Sequence, residues 1–269
     1  MSKKFSKQER QQRIVAAIAA NAAVGISTLA EALDVTKQTI RRDLDELSAN
    51  GLINRTYGGG AIRPVGLEPG FIERSHVSAR EREVIARLAA GLLSDGEVIM
   101  LGAGVTTHYL ARELALRSKR QQVLTNNINA VSVLATNSNI RVIIAPGDYE
   151  AKEGCVSGEE TLAFLDKFRA DVAIIGASGV YREGVCEVNS GIAWVDRTML
   201  KRARRHILLV LSAKMDLSNL ELVCPLDQID VLVTDSAPVG ELLEALQAAG
   251  VGIVTPEDAE PENSGPVMS

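Results

Sequence analysis

The chain has 269 residues, enough for one large domain or two unequal ones, and its 46% hydrophobic content with only 3% aromatics points to a core of branched aliphatics. A net charge of −5 argues against a protein that coats nucleic acid along its whole length, and no apolar run approaches the roughly 20 residues that span a bilayer. Cys155, Cys186 and Cys224 lack any Cys-x-x-Cys spacing and His76, His108 and His206 are scattered, so free thiols, no metal and no cofactor are expected.

Residues 1–5 lead into Gln and Arg rather than an apolar signal core, which fits a cytoplasmic protein. Charge is unevenly spread. Residues 1–63 hold ten Lys and Arg against six Asp and Glu, while the remainder holds nineteen against twenty-eight. A basic head on an acidic body implies two jobs. Residues 8–20 place Ile14, Val15 and Ile18 at helical spacing, and 21–25 break the pattern. Thr28-Leu29-Ala30-Glu31 matches a capping box that opens a short helix with Leu29 and Leu33 inward. Thr36 can cap a third helix, whose buried stripe is Ile40, Leu44 and Leu47 and whose stop is Asn50-Gly51. A strand over 52–57, glycines at 58–60 and a return strand over 61–63 make a wing.

On the third helix the 100° step sets Gln38, Arg42 and Asp45 opposite the buried stripe and Arg41 to one side. Lys37, Gln38, Arg41 and Arg42 therefore gather in the N-terminal half, the half that a recognition helix inserts into the major groove. Arg pairs with guanine and Gln with adenine, while Thr36, Thr39 and the helix start suit phosphate oxygens. Arg55 on the wing is placed for the backbone or minor groove. The plainer alternative is a solvated face in which Arg42 pairs with Asp45 or Glu46.

Residues 64–77, with Pro64, Gly66, Pro69 and Gly70, read as a linker. From 78 to 255 helical and strand patterns alternate. Helix 79–93 precedes strand 97–101, helix 106–116 strand 122–125, and helix 128–136 strand 140–145. Helix 159–168 precedes strand 171–176, helix 191–204 strand 206–211, and helix 239–248 lies between strands 230–234 and 251–254. Near-continuous Val, Ile and Leu runs imply a mostly parallel, doubly wound sheet covered by helices on both faces. The tail, 256–269, rich in Pro, Glu and Ser, is expected to be disordered.

In such a sheet, ligands bind beyond the strand C-termini at a topological switch point. The candidates there are Gly102, Gly104, Thr106 and Thr107 after one strand, Asn126 and Asn127 after the next, then Gly147, 176–179 and Lys214. Arg197 lies on a basic helix. Amides, hydroxyls, glycines and one Lys suit polyol hydroxyls and an anion held at a helix start. The dinucleotide fingerprint is not met, because Thr107 stands at its third glycine and no acid ends the second strand. Thr106 as a helix cap, Asn126-Asn127 as a turn, and Trp194 as packing are the plainer readings.

The stretch QTIRRDLDELSANGLINRTYGGGA, residues 38–61, resembles the helix-turn-helix signature of the DeoR family of bacterial repressors, with Tyr57 where that signature usually has His. LTNNINAVSVLA and the layout of 171–215 are similar to the family's glycerol-3-phosphate repressor group. The resemblance implies a winged helix joined to a sugar-phosphate-sensing α/β domain related to ribose-phosphate isomerases, acting as a homo-oligomer (dimer or tetramer). Its expected partners are operator DNA and a phosphorylated sugar or polyol effector, with no membrane.

The pocket departs from the family pattern. Gly102 replaces an Asp and Val105 a Thr, Pro146-Gly147 replaces paired glycines, Ala193 replaces a Glu, and Leu211-Ser212-Ala213-Lys214 keeps only the Lys. Arg197 keeps a cation where Lys is usual. No acid stands at the matching positions, although Asp148 and Glu187 are near in sequence, so the carboxylate base that sugar isomerisation needs is not expected. A repressor with an effector pocket is therefore expected rather than an enzyme. The alternatives are an isomerase-like enzyme with an appended DNA-binding head, and an oligomeric DNA-binding protein without an effector.

Overall fold

The computed structural model describes residues 5–21, 23–49, 53–56, 59–62 and 69–259. The tip of the wing at 57–58, residue 63 of its return strand, residues 64–68 of the stretch read as a linker, and residues 260–269 of the tail lie outside the described residues.

The head contains α1 (Lys7–Asn21), β1 (Ala23–Gly25), α2 (Ile26–Ala32), α3 (Lys37–Ala49), β2 (Ile53–Thr56) and β3 (Gly59–Ile62). Its core is the expected set, Ile14, Ile18, Leu29, Leu33, Ile40, Leu44 and Leu47, joined by Ile53. Thr36 caps α3 as expected, its Oγ1 accepting from Thr39 N at 3.1 Å. Two details differ. α2 begins at Ile26 behind Gly25, so Thr28 sits inside the helix rather than capping it. The break at 21–25 carries β1, which adds a third antiparallel strand to the wing in the order β1-β3-β2. A three-residue strand is too short for an alternating pattern to reveal.

The body opens with α4 (Phe71–Ser75), a helix within the stretch read as a linker. Phe71 is buried there and its N donates to Lys152 O at 2.8 Å. There follow α5 (Ala79–Gly91), β4 (Val98–Leu101), α6 (Val105–Ala115), β5 (Gln121–Thr125), α7 (Ile128–Leu134), β6 (Ile140–Ile144), β7 (Asp148–Glu150), β8 (Cys155–Ser157), α8 (Glu159–Leu165) and β9 (Ala170–Ile175). Next come β10 (Gly179–Tyr181), β11 (Gly184–Glu187), α9 (Ser190–Arg202), β12 (Ala203–Leu209), β13 (Glu221–Cys224), β14 (Val231–Val233), α10 (Gly240–Ala248) and β15 (Gly252–Val254). At the tail, Pro256–Ala259 forms a 3-10 turn.

The seven-stranded sheet is parallel, in the order β15-β14-β12-β9-β4-β5-β6. Period-2 alternation feeds two cores. Met100, Ala173, Ile175 and Leu208 face one layer of helices, while Ile99, Leu101, Val172, Ile174, Ile207 and Leu209 face the other. The chain runs outward from β4 to β6, then returns through β9 to the opposite edge, which puts the switch point between β4 and β9. Two antiparallel pieces, β7-β8 and β10-β11-β13, were not expected from the alternating pattern. The basic run after α9 is also split. Arg204 and Arg205 lie on β12, where Arg205 reaches Glu97 at 3.2 Å. No helix among the described residues is long and apolar enough to cross a membrane.

Candidate functional site

In the head, two of the three acids of α3, Asp43 and Glu46, are drawn to its α1 side, while Asp45 stays exposed. Asp43 is buried and takes a two-pronged ion pair from Arg10 of α1, at 2.5 and 3.1 Å. Glu46 accepts from Gln11 Nε2 at 2.8 Å and from Lys7 Nζ at 2.9 Å. Thr36, Lys37, Gln38, Arg41 and Arg42 stay exposed, with Thr39 half-buried beside them. Glu46, offered as a partner for Arg42, is engaged by α1 instead. Arg55 lies on β2 opposite Gly60, and its side chain is outside the described residues.

In the body, a small cleft of about 30 Å³ opens where β4 and β9 end, at the switch point. Gly104 caps α6 with φ +134°, a conformation that L side chains rarely adopt, so glycine is required there. Thr107 Oγ1 donates to Gly104 O at 3.0 Å, and Asn127 Nδ2 reaches Gly104 O at 3.2 Å and Thr107 Oγ1 at 3.3 Å. Thr107 and Asn127 are thus fully buried braces for the turn.

Of the sequence candidates, Gly104, Thr106, residues 176–178 and Lys214 line the cleft. Thr106 does not cap α6. Its Oγ1 accepts from Arg82 Nη1 of α5 at 2.8 Å, and Arg82, only 3% exposed, also donates from Nε to Val77 O at 3.2 Å. Lys214 Nζ donates to Ala177 O at 2.9 Å. The other candidates are not among the lining residues. Asn126 Nδ2 is tied to Val156 O at 3.0 Å, and Gly147 packs against Thr161, whose Oγ1 would lie 2.1 Å from a Cβ there. Arg197 turns toward β13. It pairs with Glu221 at 2.6 Å and lies 4.7 Å over the Trp194 ring. Trp194, read as packing, is 55% exposed beneath that guanidinium.

The cleft gains residues that sequence reasoning missed, namely Arg74, Arg82, Glu153 and Asn189. Charges on short or amphipathic helices look solvated in a sequence, and only burial singles these out. Arg74 and Glu153 form a buried ion pair. The expectation of an acid-free pocket is also corrected. Glu187 ends β11 inside the cleft, with Oε1 accepting from Ser178 Oγ and from Val188 N at 2.8 Å, whereas Asp148 is exposed outside it.

Gly102 has a different role. A Cβ there would stand 2.7 Å from Asp196 Oδ1, so the absence of a side chain admits the Asp196 carboxyl. Asp196 is 1% exposed, and its Oδ1 has no hydrogen-bond partner among the described residues. Burial pushes this carboxyl well above the carboxylate range, with Glu187 adding to the effect and Arg197 opposing it. An acid on α9 therefore stands next to the position where the family pattern puts one on the strand, outside the residues that line the cleft.

Comparison with known proteins covers both parts. The model of the DeoR C-terminal sensor domain matches residues 77–236, and that of the DeoR-like helix-turn-helix domain matches residues 10–63. The glycerol-3-phosphate regulon repressor of Escherichia coli (strain K12) is 28% identical over 88% of this chain and 94% of its own length. The L-fucose operon activator of Haemophilus influenzae is 30% identical over 77% of this chain and 83% of its own. The ribose 5-phosphate isomerase A of Methanocaldococcus jannaschii is similar over 50% of this chain and 53% of its own, with a TM-score of 0.37 and 22% identity.

Proposed function

We propose, because this chain belongs to the DeoR family of transcriptional regulators, that it represses a carbohydrate or polyol catabolic operon and that a phosphorylated sugar or polyol in the cleft controls it. The observation that carries this reading is the distribution of charge around the cleft. Arg82 stands with Thr106 and the start of α6 on the anion-binding side, and Glu187 and Asn189 stand with Ser178 on the hydroxyl-binding side, where Lys214 holds Ala177 O. Glu187 Oε1 already accepts two hydrogen bonds, which suits an acceptor for sugar hydroxyls better than a base that must abstract a proton. Lys37, Gln38, Arg41 and Arg42 read the operator from α3, Thr36 and Thr39 hold phosphates, and Arg55 supports them from the wing. Two or four copies bring recognition helices to half-sites about one helical turn apart, or multiples of it.

Effector binding changes DNA affinity only through a difference in affinity between two states of the protein. A thermal-shift screen of phosphorylated sugars and polyols tests the cleft. A ligand at 100 times its Kd adds about 2.7 kcal/mol, or about 5–11 °C in Tm. Thr106→Ala with Arg82→Lys should abolish that shift and the ligand response while operator binding persists. Arg41→Ala with Arg42→Ala should weaken operator binding by about 2–6 kcal/mol and, where the contacts are to phosphates, reduce the salt slope by about 2. Unchanged affinity and slope in that variant would remove α3 as the reading element. Stronger operator transcription in the presence of the protein would make it an activator, as the name of the Haemophilus relative states for that protein.

A further inference from the structure

The cleft and the DNA-reading helix are connected by two adjacent residues of α5. Arg82 points inward, with Nη1 2.8 Å from Thr106 Oγ1 at the start of α6. Glu81, its neighbour in the same first turn, points to the head, where Oε1 lies 3.5 Å from Lys7 Nζ. Lys7 belongs to α1, and the same Nζ lies 2.9 Å from Glu46 Oε2 on α3. Glu46 is held in turn by Gln11 of α1 at 2.8 Å. One ammonium thus bridges a carboxylate of the body and a carboxylate of the recognition helix. Beyond this turn α5 is firmly seated, with Ile85, Ala86, Ala89 and Ala90 buried in the sheet's helix layer.

We propose that the Lys7 bridge is a latch between sensor and head, released when an anion enters the cleft. The proposal rests on the effector reading above. An anion at the start of α6 competes for the Arg82 guanidinium that Thr106 now accepts from. The first turn of α5 carries Glu81 with Arg82, so a shift of that turn's backbone moves both. Of the two contacts to Lys7, the one to Glu81 is longer and joins separate domains, and it parts first. Lys7 keeps Glu46, and the head keeps α1 against the turn at 212–214 but loses its charged tie to α5, which loosens its orientation on the body. Both side chains are partly exposed, at 49% and 33%, so the latch changes operator affinity by at most about fivefold per head. Engagement of two heads multiplies the factors to about 25-fold.

The test uses the full chain with spin labels at Ser27→Cys on the head and Ser118→Cys on the body, both exposed positions, while the native cysteines are buried. Labelled chain is diluted into unlabelled chain so that distances within one copy are read by electron double resonance. Inorganic phosphate is the probe, at a concentration that raises the Tm of the parent chain. The parent should give a narrow distance distribution that phosphate broadens. Glu81→Gln should give the broad distribution without phosphate and no further change with it, while its phosphate-induced Tm rise stays that of the parent. Operator affinity without phosphate should fall by up to about fivefold in Glu81→Gln. If Glu81→Gln keeps the narrow distribution and the phosphate response, the latch is wrong and the effector cleft stands. If phosphate raises the Tm of the parent without broadening its distances, the latch is again wrong. If phosphate stabilises none of the chains, the effector reading fails and takes the latch with it.

Discussion

Replacing Gly102 by alanine adds a single carbon just past the end of β4, against Asp196 of α9. That carbon would stand 2.7 Å from Asp196 Oδ1 and 3.5 Å from both Ile174 O and the Ile175 side chain. The backbone of Gly102 is not in the left-handed region, so alanine meets no conformational strain and only the contact decides. Overpacking of this kind costs about 1–3 kcal/mol, and the stiffer unfolded chain offsets at most about 1 kcal/mol of it. A net loss of about 1–2 kcal/mol lowers the Tm by about 2–8 °C. Gly102→Asp, the residue usual in the family pattern, adds a second carboxyl beside the first. Ionising both at about 4 Å would cost about 4 kcal/mol at an effective dielectric of 20, so the pair holds a proton in common and is harder to bury than a single carbon. This variant should therefore be less stable than the alanine one and should recover part of the loss as the pH is lowered. The decisive measurement is a double-mutant cycle with Asp196→Ala, read by urea unfolding. Removing the Asp196 carboxyl should make Gly102→Ala nearly harmless, with a coupling of about 1–3 kcal/mol. An additive pair, within about 0.5 kcal/mol, would refute the idea that Gly102 exists to admit Asp196.

Asp196 makes a separate prediction about pH. A carboxyl whose folded pKa is raised holds its proton better in the native state, so its stabilising contribution is complete below about pH 4 and is lost as pH rises from there toward its raised value. Asp196→Asn should thus gain stability over the parent at pH 8 but not near pH 4, and an equal difference at both pH values would contradict it. The three thiols should be inert, since burial pushes Cys155 and Cys224 up to about 12 and Cys186 up to about 11. At pH 8 a thiol reagent should label the native chain only at its rate of opening, and denaturant should release all three at once. Rapid stoichiometric labelling of the native chain would show that one of them is accessible.

Much of the molecule was legible before any coordinates. The head's core residues repeat at helical spacing, so periodicity alone selects Ile14, Ile18, Leu29, Leu33, Ile40, Leu44 and Leu47, and the face opposite them follows by geometry. The doubly wound sheet is similarly local information, because strands buried on both faces read as unbroken aliphatic runs. The loop after β4 was recognised by its glycines, and Gly104 needs the conformation that only glycine adopts readily. What could not be read is which polar residues converge. Arg74 and Arg82 look like any charged residues of short helices, yet the fold buries both at the cleft, and Glu187 arrives there on an antiparallel hairpin that no alternating pattern announced. Thr107, Asn126 and Asn127 have the right chemistry for a ligand but spend it on backbone carbonyls, Thr107 and Asn127 on Gly104 O and Asn126 on Val156 O of β8. Spacing along the chain determined the elements and their buried faces, because those depend on neighbours three or four residues away. The tertiary structure alone decided which charges converge, because those at the cleft come from α4, α5, the turn before β8, β11 and the turn before β13, which meet only when β4 and β9 pair at the centre of the sheet.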